Sequence, residues 1–116
     1  MSNVIVDLAL AIVCASDWCA PILAGDRTPV GAYTLQHYAT DTAGYGGDVL
    51  AFSFNGNEVF AIHRVLPSAQ GHRAARLQVT RTTMRSAVTG GCINVAPDVY
   101  ELLVDCCSNS SLEIRR

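Results

Sequence analysis

The chain has 116 residues and a formal net charge of −2, with 50% of its residues hydrophobic and 16% charged. These values predict a single folded domain over residues 1–116 and argue against disorder, which needs low hydrophobicity and high net charge. The chain has no lysine and no basic run, so nothing indicates a nucleic-acid partner. No apolar stretch reaches 18 residues, so no transmembrane segment is expected. No metal site and no cofactor motif is indicated.

The first third of the chain has the pattern of short strands separated by turns. The apolar run Val4–Val13 predicts one or two buried strands, and Trp18–Leu23 predicts a further short one. No positively charged region precedes the run, which favours a strand over a signal peptide. Arg27–Gly31 contains a proline and a glycine and predicts a turn. Ala32–Tyr38 then alternates in polarity, as a half-buried strand does.

The middle of the chain contains a predicted loop and a predicted hairpin. Residues 40–47 are polar and glycine-rich, which predicts an exposed loop in which Tyr45 acts as part of a flap. Asn55-Gly56 separates two β-rich runs and predicts a hairpin with a type I′ turn. The second strand of this hairpin ends with His63, which it would present at one edge of a sheet.

The last part of the chain predicts the main helix. Residues 67–76 are polar and predict a surface loop that leads into a helical turn at Ala74–Leu77. Pro97 lies at the start of a predicted helix over Ala96–Cys106, since proline is favoured in the first helical turn. Its apolar face is expected to contain Val99, Leu102, Leu103 and Cys106. Ser111–Arg115 alternates and predicts a last strand, so the fold expected is a compact, mostly β domain with one main helix.

The cysteine count limits the disulfide pattern. There are five cysteines, so at least one thiol stays free if the others pair. Cys14 and Cys19 are close enough in sequence to bridge across a turn. A bridge between the adjacent Cys106 and Cys107 would be strained. No C-x-x-C pattern occurs, which leaves a thioredoxin-like or zinc-ribbon site without support.

The segment Thr89–Asn94 carries the strongest chemical signal, because Cys92 follows two glycines. Gly90 and Gly91 allow the backbone a positive φ and can aim successive N–H groups into one small space. Main-chain oxyanion holes are built in this way. A thiol at the end of such a turn is a candidate nucleophile if a base reaches it. The alternative interpretation is an ordinary glycine turn followed by a buried, unreactive cysteine.

Three segments, in this order, resemble the catalytic domain of L,D-transpeptidases, the YkuD-like family. Asp26–Tyr33 is similar to the R-T-P-x-G-x-[FY] segment of that family, Ala61–Arg64 to its I-H strand end, and Thr89–Asn94 to its [ST]-x-G-C-[IV]-[NR] loop. The resemblance covers about Asp26–Tyr100 and implies a β-sandwich or barrel-like domain with the main helix after the cysteine loop. It also implies acyl transfer on peptidoglycan stem peptides in the periplasm or cell envelope, although no export signal is visible in this chain.

The resemblance assigns roles to individual residues. Cys92 would be the nucleophile and His63 the general base, with main-chain N–H groups near Gly91 and Cys92 forming the oxyanion hole. Because a free thiol has a pKa of about 8.5, we expect an imidazole to hold the thiolate in an ion pair. His72 and His37 remain alternative bases.

Substrate-binding residues are also expected, with two departures from the family pattern. The residues expected to bind substrate are Thr89, Gly90, Asn94, Arg64, Arg85 and Tyr33, with Arg73 and Arg76 as further arginines suited to a carboxylate. Gly90 stands where the commonest family loop has histidine, and the separation of His63 from Cys92 is longer than usual. The missing loop histidine leaves open a weak or inactive domain that binds cell-wall peptide or a partner. An L,D-carboxypeptidase also stays open, because it differs only in using water as acceptor, and a small disulfide-bearing structural module is the third alternative.

Overall fold

The computed structural model describes residues 3–66 and 72–116. In this part of the chain two sheets enclose one hydrophobic core. The first sheet has the spatial order β3 (Trp18–Pro21), β2 (Ile12–Ala15), β1 (Val4–Asp7), β9 (Ser111–Arg115) and β4 (Gly31–Thr34). The second has the order β5 (Gln36–Ala39), β6 (Asp48–Asn55), β7 (Glu58–Arg64) and β8 (Ile93–Val95). The helices are α1 (Arg73–Arg76) and α2 (Pro97–Cys107).

The core is formed by apolar side chains from both sheets and from α2. Val6 and Ile114 of the first sheet, Leu50 and Ile62 of the second, and Leu103 of the helix belong to one buried cluster. Burying such side chains is worth about 1.5–3 kcal/mol each relative to leaving them exposed. The mostly β fold with one main helix is therefore confirmed. No helix in the described ranges is long and apolar enough to cross a membrane.

The predicted strand over Ala32–Tyr38 is wrong as one element, because the chain changes sheets in its middle. β4 pairs with β9 in the first sheet, whereas β5 pairs with β6 in the second. Leu35 lies between them, fully buried in the core, and its N–H donates to the Ser110 carbonyl. Polar and apolar residues continue to alternate through Leu35, so the sequence pattern alone does not reveal the change of sheet.

The predicted hairpin is confirmed, but its turn type is wrong. Asn55 pairs with Glu58, so the two loop residues are Gly56 and Asn57 rather than Asn55 and Gly56. Of these two only Gly56 has a positive φ, 62°. Glycine at the first central position is typical of a type II′ turn, whereas type I′ needs positive φ at both.

Helix α2 forms within one residue of its predicted bounds, but its buried face is different. The side chains buried in the core are Tyr100, Leu103 and Cys107. Leu102 is 50% exposed and Cys106 is also exposed, although both were expected on the apolar face. The prediction placed the face wrongly because it left out Tyr100, whose ring is fully buried while its hydroxyl reaches Asp48.

Two disulfides are present and one thiol is free in the described part of the chain. Cys14 and Cys19 face each other on β2 and β3 and are joined, a bridge that their sequence separation allows. Cys106 and Cys107 are also joined, although the sequence analysis considered this bridge strained. The free cysteine is Cys92, which is partly buried.

Candidate active site

The loop before β8 is held in shape by hydrogen bonds from two threonines. The Thr28 hydroxyl donates to the Gly91 carbonyl at 2.9 Å. The Thr89 hydroxyl accepts from the Gly91 N–H at 3.1 Å and donates to the Cys92 carbonyl at 2.6 Å. Thr89 therefore braces the loop from within, and Thr28 braces it from the segment that precedes β4.

The two glycines of this loop have different roles. Gly91 has a φ of 136°, and a Cβ there would lie 2.5 Å from the Phe60 ring, so this position requires glycine. Gly90 has no such φ, and a Cβ there would meet no atom within 4 Å. The Gly91 N–H already donates to Thr89, so in this structure it is not available to an oxyanion. Of the two N–H groups expected to form the oxyanion hole, this leaves that of Cys92.

The parallel pairing of β7 with β8 brings His63 opposite Asn94. The Asn94 Nδ2 atom lies 3.2 Å from His63 Nε2, and the Asn94 Oδ1 atom accepts from the Arg73 guanidinium at 2.9 Å. His63 Nδ1 lies 3.3 Å from the Arg64 carbonyl oxygen. Arg73, Asn94 and His63 thus form a continuous chain of hydrogen bonds that ends on the main chain of β7.

His63 and Cys92 line the same cleft, which has a volume of about 470 Å³. Its other polar walls are Glu58, Arg73 and Thr89. A second cavity of about 400 Å³ adjoins it and is lined mainly by apolar and aromatic side chains, including Tyr38, Phe54 and Val49. The side chains common to both are Tyr45, Val59 and Cys92. The thiol therefore lies where a polar cleft meets an apolar cavity.

Tyr45 covers His63 from the loop of residues 40–47. The ring centroids of the two residues are 4.4 Å apart. Tyr45 also packs against Val49, Ala51 and Ala61. The predicted loop thus contributes a wall of the cleft, and its role as a flap remains a prediction.

Burial favours the neutral forms of both the Cys92 thiol and the His63 imidazole. It raises the pKa of Cys92, against the opposing effects of a main-chain hydrogen bond from Ala61 and of the Arg73 charge. It lowers the pKa of His63; the hydrogen bond to the Arg64 carbonyl opposes this shift, and the charges of Arg73 and Arg64 add to it. Burial thus opposes the expected thiolate–imidazolium ion pair.

Arg64 was expected to bind substrate, but the structure places its guanidinium in a network of its own. It donates to Asp48 at 2.7 Å and to Glu101 at 3.0 Å, and it also donates to the carbonyls of Tyr45 and Gly46. The side chain is only 11% exposed. Arg64 therefore fixes the loop of residues 40–47 beside β7 and is not free to take a substrate carboxylate.

Two further residues expected to bind substrate lie away from the cleft. Arg85 is buried and donates to the carbonyls of Val79, Leu10 and Ala11. Tyr33 belongs to the first sheet, where its hydroxyl donates to a nearby carbonyl and its ring packs edge-on against Phe52. The expectation for Arg85 rested on residue type and that for Tyr33 on the R-T-P-x-G-x-[FY] resemblance, and neither reveals the direction of a side chain.

Only one of the three histidines lines the cleft. His72 is exposed and precedes α1 with a φ of 55°, and His37 is exposed and bonded to Asp48 at 2.7 Å. Residues 67–71, most of the predicted surface loop, lie outside the described ranges. Sequence reasoning gave no role to Thr28 or Phe60, although Thr28 belongs to the R-T-P segment, which could have indicated its importance.

Comparison with known proteins identifies the fold. No protein-family model and no curated protein sequence matches the chain. An L,D-transpeptidase from Enterococcus faecium superposes with a TM-score of 0.70 at 14% identity, over 98% of this chain and 49% of that one. L,D-transpeptidase 3 from Mycobacterium tuberculosis, solved with a faropenem-derived adduct, gives 0.67 at 13% identity, over 99% and 61%. An L,D-transpeptidase from Mycobacterium smegmatis gives 0.60 at 18% identity, over 99% and 59%.

These solved structures place the chain in one structural class. The described residues have the L,D-transpeptidase fold, as the sequence resemblance implied. The chain spans roughly half to three-fifths of the length of the three structures.

Proposed function

We propose that this protein is an L,D-transpeptidase-like cysteine acyltransferase that acts on peptidoglycan stem peptides, with Cys92 as nucleophile and His63 as general base. The observation that carries the proposal is that the free thiol and this imidazole line one cleft in an L,D-transpeptidase fold. We expect it to act in the periplasm or the cell envelope, where peptidoglycan is located.

The reaction proceeds by transfer of an acyl group to sulfur. His63 Nε2 takes the proton from the Cys92 thiol, and the thiolate attacks the carbonyl carbon before the terminal D-residue of a stem tetrapeptide. The Cys92 N–H donates to the oxyanion, and one such donor is worth about 10²–10³ in rate. The C–N bond breaks, His63 returns the proton to the departing amine, and a thioester remains. The amine of a second stem then attacks the thioester and frees the thiol.

Two alternatives differ from this proposal in one respect each. A carboxypeptidase would pass the acyl group to water, and the two cavities beside Cys92 do not distinguish the acceptors. A binding domain without turnover is favoured by burial, which raises the pKa of Cys92 and lowers that of His63 and so opposes an activated thiolate. Intact mass spectrometry after reaction with a β-lactam separates the binding domain from both enzymes.

The proposal predicts a covalent adduct with a β-lactam. One solved neighbour carries a faropenem-derived adduct, and another is in complex with imipenem. Opening the β-lactam ring on a thiol gives a thioester and adds the whole mass of the drug. Intact mass spectrometry of the protein with imipenem is expected to show one adduct, mapped to Cys92 by peptide analysis. Cys92→Ala is expected to show none. The enzyme proposal is contradicted if the folded protein, with Cys92 reduced, gains no mass.

A further inference from the structure

The hydrogen-bond directions around Asn94 can be assigned from the chemistry of its neighbours. Arg73 has only donors, so the Asn94 atom that faces it is the carbonyl oxygen Oδ1. Nδ2 therefore faces His63. The Arg64 carbonyl only accepts, so His63 Nδ1 carries the ring proton. His63 Nε2 then has a lone pair, and the Asn94 amide donates to it.

This arrangement occupies the atom that must accept the thiol proton. The Cys92 thiol instead contacts the Val59 carbonyl oxygen at 3.9 Å. Asn94 is 1% exposed, so its amide has no competing water contact. Protonation of His63 at Nε2 would place two N–H donors, those of His63 Nε2 and Asn94 Nδ2, against each other, and this contact is unfavourable. The base is therefore held neutral and blocked for as long as Asn94 stays in place.

Arg73 is the residue that keeps Asn94 in this orientation and that a ligand in the cleft can reach. Its side chain lines the cleft together with Glu58, but Glu58 pairs with Arg27. Within residues 3–66 and 72–116 no carboxylate forms an ion pair with Arg73. A guanidinium without an acidic partner at the wall of a cleft is suited to a bidentate carboxylate.

We propose that Arg73 and Asn94 form a latch on His63: Arg73 holds the Asn94 amide on His63 Nε2 in the resting protein, and a carboxylate that pairs with Arg73 releases Asn94 and frees Nε2 for the Cys92 proton. Arg73 and Asn94 are positioning residues here, since both act through His63. The inference rests on the proposed function. It adds a carboxylate-bearing substrate as the trigger that activates the thiol.

Alkylation of Cys92 by iodoacetamide tests the latch directly, because only the thiolate reacts. Among residues 3–66 and 72–116, the charged and titratable groups that line the cleft with His63 are Cys92, Arg73, Tyr45 and Glu58. Arg64 also acts on His63, and it is paired with Asp48 and Glu101. In the wild-type protein the rate is expected to rise only at alkaline pH. In Asn94→Ala the rate at pH 7 is expected to rise about tenfold, with a second titration at acidic pH that reports His63. The double variant His63→Ala/Asn94→Ala is expected to lose this gain.

Variants of Arg73 and a reagent that carries a carboxylate test whether pairing with Arg73 releases Asn94. Arg73→Lys retains a donor and a charge and is expected to give a pH profile like that of the wild type, whereas Arg73→Ala is expected to show the acidic titration. Iodoacetate brings its own carboxylate, so the wild-type ratio of its rate to that of iodoacetamide is expected to exceed the ratio for free cysteine several-fold. Arg73→Ala is expected to lose this preference. In Asn94→Ala the ratio is expected to fall while both rates rise.

The outcomes separate the latch from the proposed function. A purely structural role of Asn94 predicts an unchanged or uniformly lower rate at every pH, and that result would overturn the latch. If the wild-type protein still forms its imipenem adduct, acyl transfer stands without the latch. If no adduct forms while Asn94→Ala gains the acidic titration, Asn94 restrains His63 as proposed, but the proposed function fails and the substrate trigger fails with it.

Discussion

Replacing His63 by alanine is expected to lower the rate constant for acylation of Cys92 by imipenem about 10²–10⁴-fold, the usual contribution of a general base. His63 is the one histidine of the described residues that lines the cleft with Cys92. Burial raises the pKa of the thiol, so without the imidazole few molecules carry a thiolate at pH 7. The rate constants are obtained by quenching the reaction at a series of times and measuring the acylated fraction by intact mass spectrometry.

The other two histidines supply matched controls. His37 bonds to Asp48 and His72 precedes α1, and neither lines the cleft. His37→Ala and His72→Ala are therefore expected to keep the acylation rate within about twofold of the wild type. A wild-type rate in His63→Ala, or a larger loss in His72→Ala, would show that the base is assigned wrongly.

Replacing Gly25 by alanine is expected to destabilise the fold and to slow acylation together. A Cβ at this buried position would lie 2.0 Å from the Thr89 carbonyl oxygen, which is main chain and cannot rotate away. Overpacking of this kind costs about 1–3 kcal/mol. The Thr89 N–H donates to Ala24, so the added methyl group displaces the start of the cysteine loop. Urea unfolding gives the free energy of unfolding, and imipenem gives the acylation rate.

Gly90→Ala is the control for this prediction, because it adds the same methyl group within the cysteine loop itself. At Gly90 the new Cβ meets no atom within 4 Å and the backbone needs no positive φ. Its free energy of unfolding is expected to stay within about 0.5 kcal/mol of the wild type, as for most surface substitutions. Equal stability of the two variants would mean that the contact between Gly25 and Thr89 does not constrain the loop.

Most of the fold could be predicted because local patterns are strong in this chain. The glycine turn at Gly56, the proline at the start of α2 and the alternation in Ser111–Arg115 each act over a few residues, and each gives the predicted element. The change of sheet at Leu35 could not be predicted. It depends on pairing with β9, whose residues lie about 80 positions further along the chain.

The candidate site could be predicted in part, for a similar reason. The order of the motifs predicted that His63 and Cys92 act together, and in the structure both line one cleft. The directions of the arginine side chains could not be read from sequence, because they depend on distant acceptors. Arg64 is held by Asp48 and Glu101, whereas Arg73 donates to Asn94.

Acyl transfer to Cys92 can be observed directly by reacting the protein with a synthetic stem tetrapeptide that ends in a D-residue. We expect an intact-mass gain on Cys92 equal to the mass of the peptide minus that of the released D-amino acid, together with release of that amino acid. Cys92→Ala, and the same peptide ending in an L-residue, are expected to give neither product. If the folded protein has a reduced Cys92 and shows no mass gain and no released amino acid, Cys92 is not the acyl acceptor that the proposed function requires.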